Sequence, residues 1–276
     1  MSLTAATTPT IRAILTGSLV QLVIRGLIAG FVAGILSGGI AYITGEQHID
    51  AAIAIEESHS VAGDEHGDPS SAESHHHEEA EPLVSRDGQR AGLFLATSLS
   101  GAALGAIYAC ALSAARTRSR LSAAALITVV GAAGWFAIAA VPFGKYPANP
   151  PAVGDPNTIT QRTVLWFTMV ALGLLAVAAF AYTHKLIDAR TASTPTAVAA
   201  AVLVALAVVA AGYAVAPAID EVPADFPASL LWQFRVSSVI TQLTLWAALT
   251  GLFALLTDHA SRRKPGNQPT YIKEKR

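Results

Sequence analysis

Cysteine and charge are what this sequence has least of. Cys110 is the single cysteine among 276 residues. An intramolecular disulfide is thereby excluded, and so is a thiolate cage of the zinc-finger type. The run around Cys110 is apolar, and the role expected of it is that of a small packing residue. Methionine numbers only two, which removes the soft sulfur ligands a metal could use. Charged residues make up 13% of the chain, against about 25% in a soluble domain. That composition excludes an ordinary globular enzyme with a solvated surface. No GxxxxGK[ST], HExxH, GxSxG or CxxC motif occurs, so the enzyme classes that depend on them are not expected. No internal repeat is visible, so an inverted-repeat transporter is not supported. The net charge of −1 gives no reason to expect nucleic acid as a partner.

What is present is apolar sequence in long runs. Hydrophobic residues make up 53% of the chain, and the mean hydropathy is +0.48. A bilayer core of about 30 Å needs roughly 20 such residues as a helix. Stretches at about 26–44, 91–115, 121–141, 163–183, 196–216 and 230–257 qualify. Backbone groups in lipid must be satisfied within the segment, so each is expected to be helical. The fold class is an all-α membrane protein, a bundle of six transmembrane helices. Residues 11–24, bracketed by Arg12 and Arg25, are too short to span and read as an interfacial helix running into the first span. The first span is too long for a signal-peptide core and is expected to be retained. It carries Gly26, Gly30, Gly34 and Gly38 on one face, the tandem GxxxG pattern of closely approaching helices. Gly101 and Gly105 repeat it in the second span.

The distribution of Lys and Arg sets the orientation. One set of segments holds Arg12, Arg25, Arg116, Arg118, Arg120, Lys185, Arg190 and the basic tail from Arg262. The opposite set holds Arg86, Arg90, Lys145, Arg162 and Arg235. Both termini are therefore expected to be cytoplasmic, in the cell membrane. The chain divides into an N-terminal segment 1–25, a membrane domain 26–257 with an extracytoplasmic loop 45–90, and a tail 258–276.

That loop concentrates the chemistry. Six of the eight histidines lie in it: His48, His59, His66, His75, His76 and His77. Glu46, Asp50, Glu56 and Glu57 lie near its start, with more carboxylates beyond. Imidazole and carboxylate suit Co²⁺, Ni²⁺, Zn²⁺ and Cu²⁺, and the surplus negative charge gathers cations. Residues 46–57 can continue as an amphipathic helix, with Glu46, Asp50 and Glu57 on one face. From about Ser58 to Glu81, Gly, Pro, Ser and charge suggest a mobile segment. The plainer alternative is a solvated acidic loop. In the last span Arg235, Ser238 and Gln242 fall on one stripe at i, i+3 and i+7. Such a stripe lines a polar path or binds neighbouring helices. Arg235 is expected to pair with Glu46, Glu221 or Asp225. His184 and His259 read as interfacial anchors, and the proline-rich loop Val141–Thr163 as extended and stiff.

The segment "FGKYPANPPAVGDPNTITQRT" resembles the CbtA family of predicted bacterial cobalt transporter subunits. So do "GEQHIDAAIAIEE", "LVSRDGQRAGLFLATSLSGAALGAIYA" and "VPADFPASLLWQFRVSSVITQLTLW". Alanine richness and the histidine tract fit an actinobacterial-type member. The resemblance implies a multi-span protein tied to cobalt supply for cobalamin, accompanied by a small single-span histidine-containing partner. The motif residues it carries over are Glu46, Asp50, Glu56, Glu57, Lys145, Tyr146, Asn149, Asp155, Arg162 and Arg235. The expected function is uptake of a divalent transition-metal cation, cobalt foremost, with no resident cofactor. Glu46, His48, Asp50, Glu56 and Glu57 would form its mouth, and His59, His66, His75, His76 and His77 would feed it. The rival is a metal-binding sensor or assembly subunit, because the spans offer a dehydrated cation only Ser, Thr and Gln.

Overall fold

The computed structural model describes Leu15 and residues 17–64, 85–151, 153–191 and 193–262. Six helices are long and apolar enough to cross a membrane. They are α1 (Leu19–Asp64), α2 (Arg86–Arg116), α3 (Ala123–Lys145), α4 (Ile159–Thr191), α5 (Thr194–Val215) and α6 (Ala228–Arg262). No strand occurs among the described residues. The protein is an all-α, multi-pass membrane protein.

Helix α1 departs from expectation at its far end. It starts at Leu19, so residues 19–24 run into the first span as expected and form its first turns, while residues 11–14 and 16 lie outside the described residues. It then runs without a break through Asp64, 46 residues in all. At 1.5 Å per residue that is about 69 Å, twice the bilayer core. The polar half therefore stands beyond the membrane as a helical stalk. Ser58–Asp64, expected to be mobile, belongs to it. Between Glu46 and Ala62 the sequence has Ala, Glu and Ile but neither Gly nor Pro, so nothing stops the helix.

The glycine ladder joins α1 to α2. A Cβ built at Gly26 would strike the Gly105 carbonyl, one at Gly30 the Gly101 carbonyl, and one at Gly34 the Thr97 carbonyl. The two backbones thus touch over three turns of an antiparallel pair, where any side chain would hold them apart. On its other side α1 packs along α6. Leu22, Ala29 and Ala33 meet Tyr108 and Leu112 of α2, Leu126 and Ile127 of α3, and Leu249 and Phe253 of α6 in one buried cluster. Tyr108 closes it, donating to the Ile127 carbonyl at 2.6 Å and standing edge-on to Phe253.

Helices α4 and α5 form a hairpin that docks on the second half of α3. There α3 widens into a π turn at Phe136–Ala140. Pro142 is the cause. It has no N–H, and its ring presses on the carbonyl four residues back. The wider turn, in which the Val141 N–H donates to Phe136, relieves that pressure. Gly173 of α4 lies against the backbone of Ala137 in this turn. The Tyr213 hydroxyl of α5 donates to the Val141 carbonyl. Pro142 thus lies within the helix rather than in the extended loop expected for Val141–Thr163. Cys110, expected to be a small packing residue, is exposed on α2.

Candidate functional site

The helices alternate in direction, so one end of the bundle carries Leu19, Arg116 and Arg262. The other, here called the loop end, carries the stalk of α1, the start of α2 and the α3–α4 and α5–α6 loops. Most of the candidate residues that the structure describes lie at the loop end.

The α1–α2 register built by the glycines brings Glu46 and Asp50 opposite Arg86 and Arg90. Arg86 donates from Nη2 to Glu46 Oε2 at 2.9 Å and to Asp50 Oδ1 at 2.7 Å. Arg90 donates from Nε to Glu46 Oε2 at 3.1 Å and from Nη2 to Asp50 Oδ2 at 3.2 Å. Glu46 is nearly buried, with 12% of its side chain exposed, while Asp50 is 47% exposed. Ser85 caps α2 by accepting from the Gly88 N–H, which fixes the first turn from which Arg86 and Arg90 project. These four residues form a closed, charge-neutral clamp between the two helices. Sequence reasoning assigned the carboxylates to a metal and did not pair them with arginines about 40 positions away. The glycine spacing, followed outward, was the signal that pairs them.

His48 lies on a different face of α1. Its Nδ1 is buried and has no hydrogen-bond partner. On the same side Ala52 and Ile55 pack against Val153, Phe226 and Leu230, tying the stalk to both loops. Glu56 and Glu57 are exposed further along. His59 lies in the last turns of the stalk, and His66, His75, His76 and His77 lie outside the described residues. Among the described residues no three His, Cys, Asp or Glu side chains come together. The expected mouth residues are therefore adjacent along one helix but are not gathered around one point.

A second cluster surrounds a cavity of about 600 Å³, lined by Tyr146, Asn149, Arg162, Asp220, Glu221 and Arg235 among others. Among the described residues no carboxylate lies within ion-pair distance of Arg235. Its Nη2 donates to Asn149 Oδ1 at 2.9 Å, and its Nε reaches the Ala148 carbonyl at 3.4 Å. Glu221 instead faces Arg162 at 3.5 Å. The left-handed backbone at Gly154, φ 122°, lets the chain pass this pair where a Cβ would strike the guanidinium. Tyr146 donates to the Pro217 carbonyl at 2.8 Å, and Lys145 to the Tyr213 carbonyl at 3.1 Å. Asp155 accepts from the Asn157 backbone at 2.8 Å and shapes the turn into α4. The residues of "FGKYPANPPAVGDPNTITQRT" thus stitch the α3–α4 loop to the α5–α6 loop and to the first turns of α4 and α6.

A family model described as "Probable cobalt transporter subunit (CbtA)" matches residues 19–258, the whole helical bundle. The chain belongs to the CbtA family. No curated protein and no solved structure is significantly similar to it. In this CbtA-family chain the expected stripe of α6 divides. Ser238 donates to its own helix at Phe234, and Gln242 is exposed. The inward positions are Ser237 and Thr241, one residue aside. Ser237 Oγ donates to the Thr44 carbonyl at 2.8 Å, and Ser37 Oγ to the Thr241 carbonyl at 3.1 Å. Polar contact between α1 and α6 thus binds the helices together.

Proposed function

We propose that this chain mediates uptake of a divalent transition-metal cation across the cell membrane, with cobalt for cobalamin synthesis as its cargo. The match to a cobalt transporter subunit over residues 19–258 carries the reading. In it both termini are cytoplasmic, as the excess of Lys and Arg at that end requires, and the α1 stalk stands outside. Exposed Glu56 and Glu57, with His59 and the histidines that follow, gather hydrated cations by rapid exchange of carboxylate and imidazole ligands. Glu46, Asp50 and His48 receive them where the stalk meets the membrane. Because Arg86 and Arg90 hold both carboxylates, a cation reaches them only by displacing a guanidinium. The mouth is thus closed by charge until metal arrives.

One observation favours a second reading. The membrane-embedded parts of the helices contain no Asp or Glu, and a dehydrated dication needs replacement ligands at depth. In that reading the chain is a metal-binding sensor or an assembly subunit, and a partner supplies the path. The small single-span histidine-containing protein implied by the resemblance would be that partner.

Cobalt uptake in cells without other cobalt importers tests both. The intact protein is compared with a Ser58–Glu81 deletion and an empty control, then reconstituted alone in proteoliposomes. Uptake in cells and in proteoliposomes supports a self-sufficient importer. Uptake in cells alone supports the partner reading, and uptake in neither, with the protein inserted, removes the transport assignment.

A further inference from the structure

The cavity at the loop end holds two guanidiniums whose bonding is incomplete. Among the described residues Arg235 meets only neutral acceptors, Asn149 Oδ1 and, at 3.4 Å, the Ala148 carbonyl. Arg162 Nε is buried without a hydrogen-bond partner, and so is Glu221 Oε2. The separation of Arg162 and Glu221, 3.5 Å, exceeds the roughly 2.7–2.9 Å of a charge-assisted hydrogen bond. Arg162 is about a third exposed and Glu221 nearly buried, and the two face one another without a hydrogen bond, so each keeps a buried polar atom that a ligand could satisfy. Asp220, exposed at the rim, adds a second carboxylate.

Charge decides what fits. A simple anion would satisfy Arg162 and Arg235 and be repelled by Asp220 and Glu221, while a bare cation would meet the reverse. A ligand with both signs a few ångströms apart satisfies all four. The walls add a further requirement. Ile159, Trp166 and Phe167 of α4 line the cavity and are also exposed on the outside of the bundle, Phe167 by 61%. They lie in the first turns of a membrane-crossing helix, where aromatic side chains meet lipid headgroups. This wall is shared between the cavity and the outside of the bundle, which suits an occupant with an apolar part.

We propose that this cavity binds the headgroup of a zwitterionic aminophospholipid of the phosphatidylethanolamine type. The phosphodiester sits on Arg235 and Arg162, the ammonium lies beside Asp220 and Glu221, and the acyl chains run along Ile159, Trp166 and Phe167. A bound lipid would join the α3–α4 loop, α4, the α5–α6 loop and α6. The inference stands apart from the metal reading.

Native mass spectrometry of the full chain, stripped of lipid by detergent, tests it. Dioctanoyl phosphatidylethanolamine is added, with dioctanoyl phosphatidylglycerol, phosphorylethanolamine and inorganic phosphate in parallel. The expected result is binding of phosphatidylethanolamine, weakened about tenfold or more by Arg235→Gln, which removes a charge-assisted hydrogen bond. Asp220→Asn, at an exposed position, keeps an acceptor for the Val222 N–H and should cut the preference over phosphatidylglycerol severalfold. Equal binding by Arg235→Gln would overturn the site. Phosphorylethanolamine or phosphate binding as tightly as the lipid would make the occupant a soluble anion and overturn the lipid assignment. A preference unchanged in Asp220→Asn would overturn the role of the ammonium.

Discussion

The α1–α2 and α4–α5 pairs are both antiparallel helical hairpins lined with small residues, but they meet differently. In the first, backbone touches backbone, glycine against glycine carbonyl. In the second, Ala197, Ala201 and Ala205 of α5 are buried, and Gly212 receives the side chain of Leu172. A side chain can turn aside; a carbonyl cannot. The first hairpin therefore fixes the bundle's geometry, while the second is held to it mainly at the π turn of α3. The charges follow the same division, with a closed ionic clamp on the first and an open cavity beside the second.

The sharpest way to break the comparison is to fill each seam. Gly30→Leu should abolish the folded protein, because overpacking against a carbonyl that cannot move costs about 3 kcal/mol or more. Expression and monodispersity in detergent would show it. Gly39→Leu, where an added Cβ meets nothing within 4 Å, should leave both unchanged. Gly173→Leu should come next, detaching α4–α5 from Ala137 while α1 and α2 stay packed. Crosslinks placed within and between the hairpins would report that split.

A smaller effect is expected at the clamp. Arg86→Ala leaves nearly buried Glu46 with Arg90 alone, and should lower stability by about 1–3 kcal/mol, the range for an under-satisfied buried group. Thermal unfolding should show the loss, and adding Glu46→Gln should restore part of it. If Glu46 and Asp50 receive the cation, Arg86→Ala should also strengthen cobalt binding to the detergent-solubilised protein. Unchanged binding would leave the carboxylates a purely structural role. The smallest effect belongs to Pro142→Ala. It removes the cause of the π turn, and a stability change under about 1 kcal/mol is expected because the Gly173 and Tyr213 contacts still favour the wide turn.

The spans were legible because lipid tolerates nothing but long apolar helices, so composition alone finds them. The glycine seam was legible because four-residue spacing has one geometric meaning on a helix. The extent of α1 was legible in part: residues 46–57 were expected to continue as a helix and do, whereas Ser58–Asp64, expected to be mobile, belongs to it as well, since no helix breaker precedes Gly63. The clamp was missed because Glu46 was offered to a metal or to Arg235, whereas its partners Arg86 and Arg90 are set by the pairing of α1 with α2. Arg235 was assigned a carboxylate on charge alone, yet the fold gives it an amide and a carbonyl. The α6 stripe was displaced by one residue, about 100° around the helix, because the positions facing α1 follow from tertiary contact.

The spacing of the glycines leaves one ambiguity that the clamp removes. Sliding α2 along α1 by a single turn would set Gly30 on Gly105 and Gly34 on Gly101, a contact as smooth as the native one. The seam by itself therefore cannot count. Glu46 and Asp50 are also four residues apart, as are Arg86 and Arg90, and only one setting lets both carboxylates reach both arginines. Shifted by a turn, about 6 Å, one acid and one base would overhang with nothing opposite. The ions act as the end stop of a ruler whose marks are all alike.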